Sequence, residues 1–276
     1  MDKLGQDARI SVVMLTHNDH HGTRRCLESM LAVLPDAMFE ELILLDNAST
    51  DETRELVLSL GSIDKVRVIR SDSNLGVARG RNRLFALARG AIVASLDSDV
   101  EIAGTGFFRD ARALLVRDPR IGICGASGYR VHFSGGQLHL KPYTRDGSVD
   151  CVSGFCQVFP RQLLQQVQID TAFSPFWCED TDFCFQAKAR GFRIHRLAPG
   201  PGLRHRYRSI DTRADDPRKA RHEALLVRKW SGRIRLIGER PGPRLRRWLR
   251  RERQRLGRLG VRLGQHVRRM LRPRPL

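Results

Sequence analysis

The sequence predicts an α/β fold with a largely parallel central sheet, and three observations carry that expectation. Short apolar runs alternate with segments of helical period over the first hundred residues. Each run stops in a polar loop, the pattern left when strands point the same way and return through helices. The chain has 276 residues, 41% of them hydrophobic, enough for one sizeable core.

In order, Ile10 to Leu15 reads as a buried strand ending in the polar loop Thr16-His17-Asn18-Asp19. Cys26, Leu27, Met30, Leu31 and Leu34 then lie on one face of a helix spanning about 22–34. Glu41 to Leu45 is the second strand, ending in Asp46-Asn47-Ala48-Ser49-Thr50-Asp51, where Ser49 or Thr50 is placed to cap the next helix. Val66–Arg70 is the third strand, 76–89 is helical, and Ala91 to Leu96 is a fourth strand running into Asp97-Ser98-Asp99. Residues 104–117 read as a helix, 121–160 as short strands with glycine-containing turns, 180–190 as a helix stopped by Gly191, and 194–197 as a strand. Two further helical stretches are predicted at 216–230 and 243–271.

The net charge of +19 is distributed unevenly. Residues 201–276 hold 25 of the basic and 6 of the acidic residues, while 1–200 balance at 24 of each. This predicts a neutral folded domain over 1–210 followed by an Arg-rich helical extension over 211–276. The six cysteines include no C-x-x-C pair and no zinc spacing, so they read as free thiols in a reducing compartment. The N-terminal residues have no apolar signal core, and no run approaches the ~18 apolar residues of a membrane span. The expectation is a cytoplasmic protein whose membrane contact, if any, is peripheral.

Asp97-Ser98-Asp99 is the sharpest chemical feature. Two carboxylates at a strand end suit a hard divalent cation such as Mg2+ or Mn2+, which bridges readily to phosphates. Alone, the pair also reads as an ordinary acidic turn. Thr16, Asn18 and Asp46 end neighbouring strands, and ligands of open α/β sheets bind at that carboxyl edge. Glu179-Asp180-Thr181-Asp182 reads either as a site or as an acidic helix N-terminus favoured by the macrodipole, and His205 either as a ligand or as part of a solvated basic strand end.

Five blocks in one order carry a resemblance: Ser11 to Asn18, Leu45 to Asp51, Asn74 to Asn82, Leu96 to Asp99, and Phe176 to Cys184 followed by Gly191 and His205. Over about residues 9–207 the chain resembles the family 2 glycosyltransferases of GT-A fold, and within them the rhamnosyltransferase-like branch of bacterial cell-surface polysaccharide synthesis. The resemblance implies metal-dependent, inverting transfer of a sugar from a UDP- or dTDP-linked donor to a hydroxyl of a glycan or lipid-linked acceptor. It implies donor contacts at Thr16, Asn18, Asp46, Asn74, Gly76, Arg81 and Asp97, and metal ligands at Asp97, Asp99 and His205. It further implies Asp180 as general base, with Gly154, Trp177 and Glu179 shaping the acceptor pocket.

In residues 243–271 an apolar stripe (Leu245, Trp248, Leu249, Leu256, Leu259, Leu263, Val267, Met270) is surrounded by arginines. A basic amphipathic helix with a Trp suits an anionic membrane surface, here the inner face of a bacterial plasma membrane. Packing on the catalytic domain or a partner helix, and binding of nucleic acid by a non-catalytic protein on this fold, are the competing readings. No nucleic-acid fold signature accompanies the charge, which argues against the last.

Overall fold

The computed structural model describes residues 4–198, 202–205 and 216–237. The apolar runs form strands β1 (Ile10–Thr16), β2 (Phe39–Asp46), β3 (Val66–Arg70) and β4 (Ile92–Asp97), with helices α1 (His20–Val33), α2 (Thr53–Leu58) and α3 (Gly76–Leu87) between them. There follow β5 (Val100–Ile102), α4 (Gly106–Arg117), β6 (Ile121–Gly125), β7 (Gly128–Ser134), β8 (Gln137–Tyr143), β9 (Gly147–Val149), β10 (Cys151–Val152) and β11 (Cys156–Pro160). The described elements end with α5 (Glu179–Ala189), β12 (Arg193–Arg196), β13 (Leu203–His205) and α6 (Pro217–Trp230).

Eight strands form the central sheet in the order β3-β2-β1-β4-β11-β6-β12-β9. β3, β2, β1 and β4 are mutually parallel, because each connection crosses over through a helix; β11 enters antiparallel between β4 and β6. The register sets Thr16 beside Asp46 and Leu15 beside Asp97, so three strands end level at one carboxyl edge. Apolar side chains cover both faces of the sheet. Met14, Leu42, Phe39 and Phe108 lie in one core cluster, and Val13, Ile43, Phe85, Phe159 and Phe183 in the other. The uninterrupted apolar strands, rather than alternating ones, follow from this two-sided burial.

A small sheet of β10, β7 and β8 stands beside the main one, and a two-stranded ladder pairs β13 with β5, placing His205 opposite Val100. All six cysteines are free and buried, the burial being a result of the fold. Burial pushes the Cys26, Cys124 and Cys184 thiols well above their usual range, so they stay protonated and inert.

Two details differ from the sequence reading. Neither Ser49 nor Thr50 caps α2. The Ser49 hydroxyl accepts the Asn18 N–H at 3.1 Å, and Asp51 Oδ1 accepts the Thr53 N–H at 3.1 Å. The second concerns the boundary at 210: the compact unit runs to Ile237. Helix α6 carries basic residues on its exposed side, but Leu226 and Trp230 are buried in the core. Asp182, fully buried, accepts the Trp230 indole N–H at 2.6 Å and the Lys229 ammonium at 2.8 Å. Residues 243–271, with their apolar stripe, lie outside the described residues. No described helix is long and apolar enough to cross a membrane.

Candidate active site

A cavity of about 540 Å3 opens at the carboxyl edge of the parallel strands. Of the residues singled out from the sequence, Thr16, Asn74, Gly76, Arg81, Asp97, Gly154, Trp177, Glu179, Asp180 and His205 line it. Asp99 sits beside it, 5% exposed. Asp97, Asp99 and His205 each offer one ligand atom, all within 4.8 Å of one another, and His205 Nε2 lies 3.2 Å from Asp99 Oδ1. The His205 ring is held by a parallel stack on Phe155, centroids 4.4 Å apart. Two carboxylates and an imidazole form a donor set that fits Mg2+ or Mn2+.

Asn18 and Asp46 do not line the cavity, and the structure gives both a different task. Asp46 is fully buried, with Oδ1 accepting the Ser49 N–H at 2.9 Å and Oδ2 paired with Arg70 at 2.6 Å. Asn18 has φ +49°, and its Oδ1 accepts the Thr50 N–H at 2.8 Å. These side chains shape the loops after β1 and β2. The cavity wall there is made by Asn47, which sequence reasoning left without a role: its amide donates to Asn74 Oδ1 at 3.0 Å, and its Oδ1 accepts the Leu75 N–H at 2.8 Å. Gly76 follows at φ +71°, where a Cβ would stand 3.0 Å from Pro175 Cα, so only glycine fits without strain.

The opposite wall is the start of α5. Trp177 and Cys178 have φ of +85° and +68°, an unfavourable backbone for residues with side chains. This sharp entry turns Glu179 and Asp180 inward in the first helical turn. Asp180 Oδ2 accepts the Gly154 N–H at 2.8 Å, and Oδ1 accepts the Thr181 N–H at 2.6 Å. Burial raises the Asp180 carboxyl above the usual range, while these N–H groups and Arg81 pull it back. Burial, and then the Asp180 charge, push Glu179 up to about 7 against the pull of Arg81. Arg81 Nη1 and Glu179 Oε2 are buried without a hydrogen-bond partner, one donor and one carboxyl oxygen available to a ligand.

Helix α6 completes the rim. Trp177 Nε1 donates to Glu223 Oε1 at 3.0 Å, His222 Nδ1 donates to the Phe176 carbonyl at 2.7 Å, and Lys219 Nζ lies 4.6 Å from the Trp177 ring centroid. Glu223 lines the cavity. No local signal announces it, since it meets Trp177 only because α6 folds back across 46 residues of chain.

A mostly parallel sheet with an Asp-X-Asp pair at its carboxyl edge, facing an acidic helix start across one cavity, defines the GT-A class of nucleotide-diphospho-sugar transferase folds. The chain belongs to glycosyl transferase family 2, whose family model matches residues 11–167, more than half of the chain. Among solved structures it is similar to GalNAc-T7 with UDP, GalNAc and Mn2+ (TM-score 0.63, 16% identity, 74% of this chain and 44% of that one). It is also similar to Staphylococcus aureus TarS 1–349 with UDP-GlcNAc (TM-score 0.59, 20% identity, 75% of this chain and 61% of that one). In sequence it is 26% identical over 256 residues to the uncharacterised protein y4gI of Sinorhizobium fredii, covering 80% of this chain and 27% of that protein. A 60-residue stretch is 40% identical to TuaG of Bacillus subtilis, a putative teichuronic acid biosynthesis glycosyltransferase, covering 21% of this chain and 24% of that protein. The chain spans about a quarter of the length of these two relatives. These likenesses establish the family and fold; none of them singles out the rhamnosyltransferase-like branch.

Proposed function

We propose that this protein transfers a sugar from a UDP- or dTDP-linked donor to a hydroxyl of a glycan or lipid-linked acceptor in cell-surface glycan synthesis, with inversion at the anomeric carbon. The observation that carries the reading is the convergence of Asp97, Asp99 and His205 at the cavity that Asp180 also lines. Names among the relatives lend support: TuaG, the succinoglycan biosynthesis protein ExoO of Rhizobium meliloti, and TarS crystallised with UDP-GlcNAc.

Each side chain has work of a definite kind. Thr16, Asn47 and Asn74 offer hydrogen bonds to the nucleoside, with Asn18 and Asp46 fixing the loops behind them. Asp97, Asp99 and His205 would hold Mg2+ or Mn2+, which supplies charge neutralisation at the diphosphate leaving group. Arg81 Nη1 and Glu179 Oε2, which make no hydrogen bond although the two side chains form an ion pair at 3.8 Å, suit the hydroxyls of the transferred sugar. Asp180 takes the proton of the acceptor hydroxyl as its oxygen bonds to the anomeric carbon and the bond to the diphosphate breaks. With one base and one displacement, the configuration inverts. Trp177 and Phe176 give the acceptor side an aromatic wall.

We extend the proposal to location: the excess of arginine beyond residue 237 suits a peripheral contact with an anionic membrane from the cytoplasmic side. The central test is titration of UDP and dTDP, with and without Mn2+, into wild type and Asp99→Ala. Metal-dependent binding abolished by the substitution supports the site. Folded protein that binds neither nucleotide in any condition rejects these two donor classes, and nanomolar, salt-sensitive binding of RNA in their place would favour the nucleic-acid reading.

A further inference from the structure

Arg81 projects from α3 and is 5% exposed. Its Nη2 donates at once to Asp97 Oδ1, at 2.5 Å, and to the Gly154 carbonyl, at 3.0 Å. The same residue, Gly154, donates its own N–H to Asp180 Oδ2 at 2.8 Å. Arg81 is thereby joined to the neighbouring Asp180 carboxylate by two hydrogen bonds through one glycine, beside its ion pair with Glu179 Oε1 at 3.8 Å. The joint has no room for a side chain: a Cβ on Gly154 would stand 2.8 Å from Arg81 Nη1 and 3.2 Å from Asp180 Cβ.

We propose that Arg81 is the positioning residue for the general base, holding Asp180 in register with Asp97 through the backbone of Gly154, so that the donor and acceptor halves of the site are set by one guanidinium. This rests on the reading of Asp180 as base. Arginine suits the place because its planar guanidinium holds Nη2 between Asp97 Oδ1 and the Gly154 carbonyl while Nη1 lies 3.8 Å from Glu179 Oε1, a fixed arrangement that a flexible ammonium does not keep. Glycine is required because the loop between β10 and β11 must bring a carbonyl to Arg81 and an amide to Asp180 at van der Waals distance from both. The loop is fixed at its β10 end by the Gln157 amide, which donates to the Val152 carbonyl at 2.9 Å.

Besides Arg81, the groups facing Asp180 are Glu179 and Thr181 on its own helix and the thiols of Cys151, Cys178 and Cys184, all held protonated by burial. Of the influences that favour ionised Asp180, the Gly154 N–H is the largest and the Arg81 charge the next. Disturbing the joint therefore raises the titration midpoint of Asp180. A residue that merely supports the fold would leave that midpoint alone.

The test is carboxyl 13C NMR titration of aspartate-labelled full-length protein, with Asp180 assigned by loss of its signal in Asp180→Asn. In Gly154→Ala the midpoint is expected to rise. Mn2+-dependent UDP affinity should fall by less than turnover does, because Asp99 and His205 keep their places and only the Arg81–Asp97 contact is strained. The acid limb of kcat, read as UDP release across a panel of UDP-sugars, should move up with the midpoint. Arg81→Lys gives the same direction with a smaller rise, and serves if Gly154→Ala fails to fold. An unmoved Asp180 midpoint in folded variants overturns the proposal, as does UDP affinity falling in step with turnover. Wild-type turnover in Asp180→Asn would instead reject the base, and the NMR shift would still report whether the joint exists.

Discussion

Asp182 belongs to the acidic run at the start of α5, yet its surroundings predict a structural effect when it is changed. It is fully buried and accepts Trp230 Nε1 at 2.6 Å, Lys229 Nζ at 2.8 Å and Gln186 Nε2 at 2.7 Å. In Asp182→Ala, Lys229 keeps Asp170 at 2.7 Å and Gln186 keeps the Gln168 carbonyl at 2.8 Å, but the buried indole N–H loses its partner. An orphaned buried donor costs about 1–3 kcal/mol, and loss of a buried ionic partner brings the total to roughly 3–4 kcal/mol. For a unit of this size that is a fall in Tm of roughly 10 °C. Asp170→Ala removes a Lys229 partner that is 33% exposed, so solvent screening holds its cost to about 1 kcal/mol or less. Thermal melts followed by circular dichroism, with UDP binding measured below the transition, check both. Equal losses for the two variants, or an Asp182→Ala melt within about 2 °C of wild type, would refute the assignment of α6 to the catalytic unit by this anchor.

The remaining expectations are more compact. Asp97→Ala and Asp99→Ala should each lower Mn2+-dependent UDP affinity by at least about tenfold, read by calorimetry, with the melting curve in place for Asp99→Ala and lowered for Asp97→Ala, which strips the buried Arg81 of its ion-pair partner. Gly76→Ala forces a side chain into φ +71° beside Pro175 and should cost about 1–2 kcal/mol in urea unfolding. Glu179 titrates near 7 in the folded chain against 4.5 when free, so the native state holds the extra proton between those values. Stability at this site is therefore fully present below pH 4.5 and lost as pH rises to about 7. Glu179→Gln should flatten that stretch of the urea-midpoint profile between pH 5 and 7.5, and an unchanged slope would count against a buried protonated Glu179. Phe155→Ala frees the His205 ring from its stack and should weaken Mn2+ binding more than UDP binding without metal.

Much of this architecture is written locally. The first four strands and their helices announce themselves because apolar runs of strand length and helical spacing are properties of neighbouring residues. The strand-end positions of Thr16, Asp46 and Asp97 follow once the crossovers make the strands parallel. The family blocks gave the acidic start of α5 and His205 a place at the same site, and the structure puts both beside the cavity. What folding alone decided is long-range. That Asp46 would be consumed by Arg70 and the Ser49 amide, leaving Asn47 to face the cavity, depends on β3 lying next to β2. That α6 would be part of the catalytic unit was hidden by its charge: its arginines resemble the tail that follows, and long-range contacts such as Trp230 with Asp182 and His222 with the Phe176 carbonyl turn one face inward. Glu223 at the rim and Gly154 between Arg81 and Asp180 carry no mark in sequence, because their roles are distances to residues 46 and 73 positions away, which the packing of helices on the sheet edge alone brings within reach.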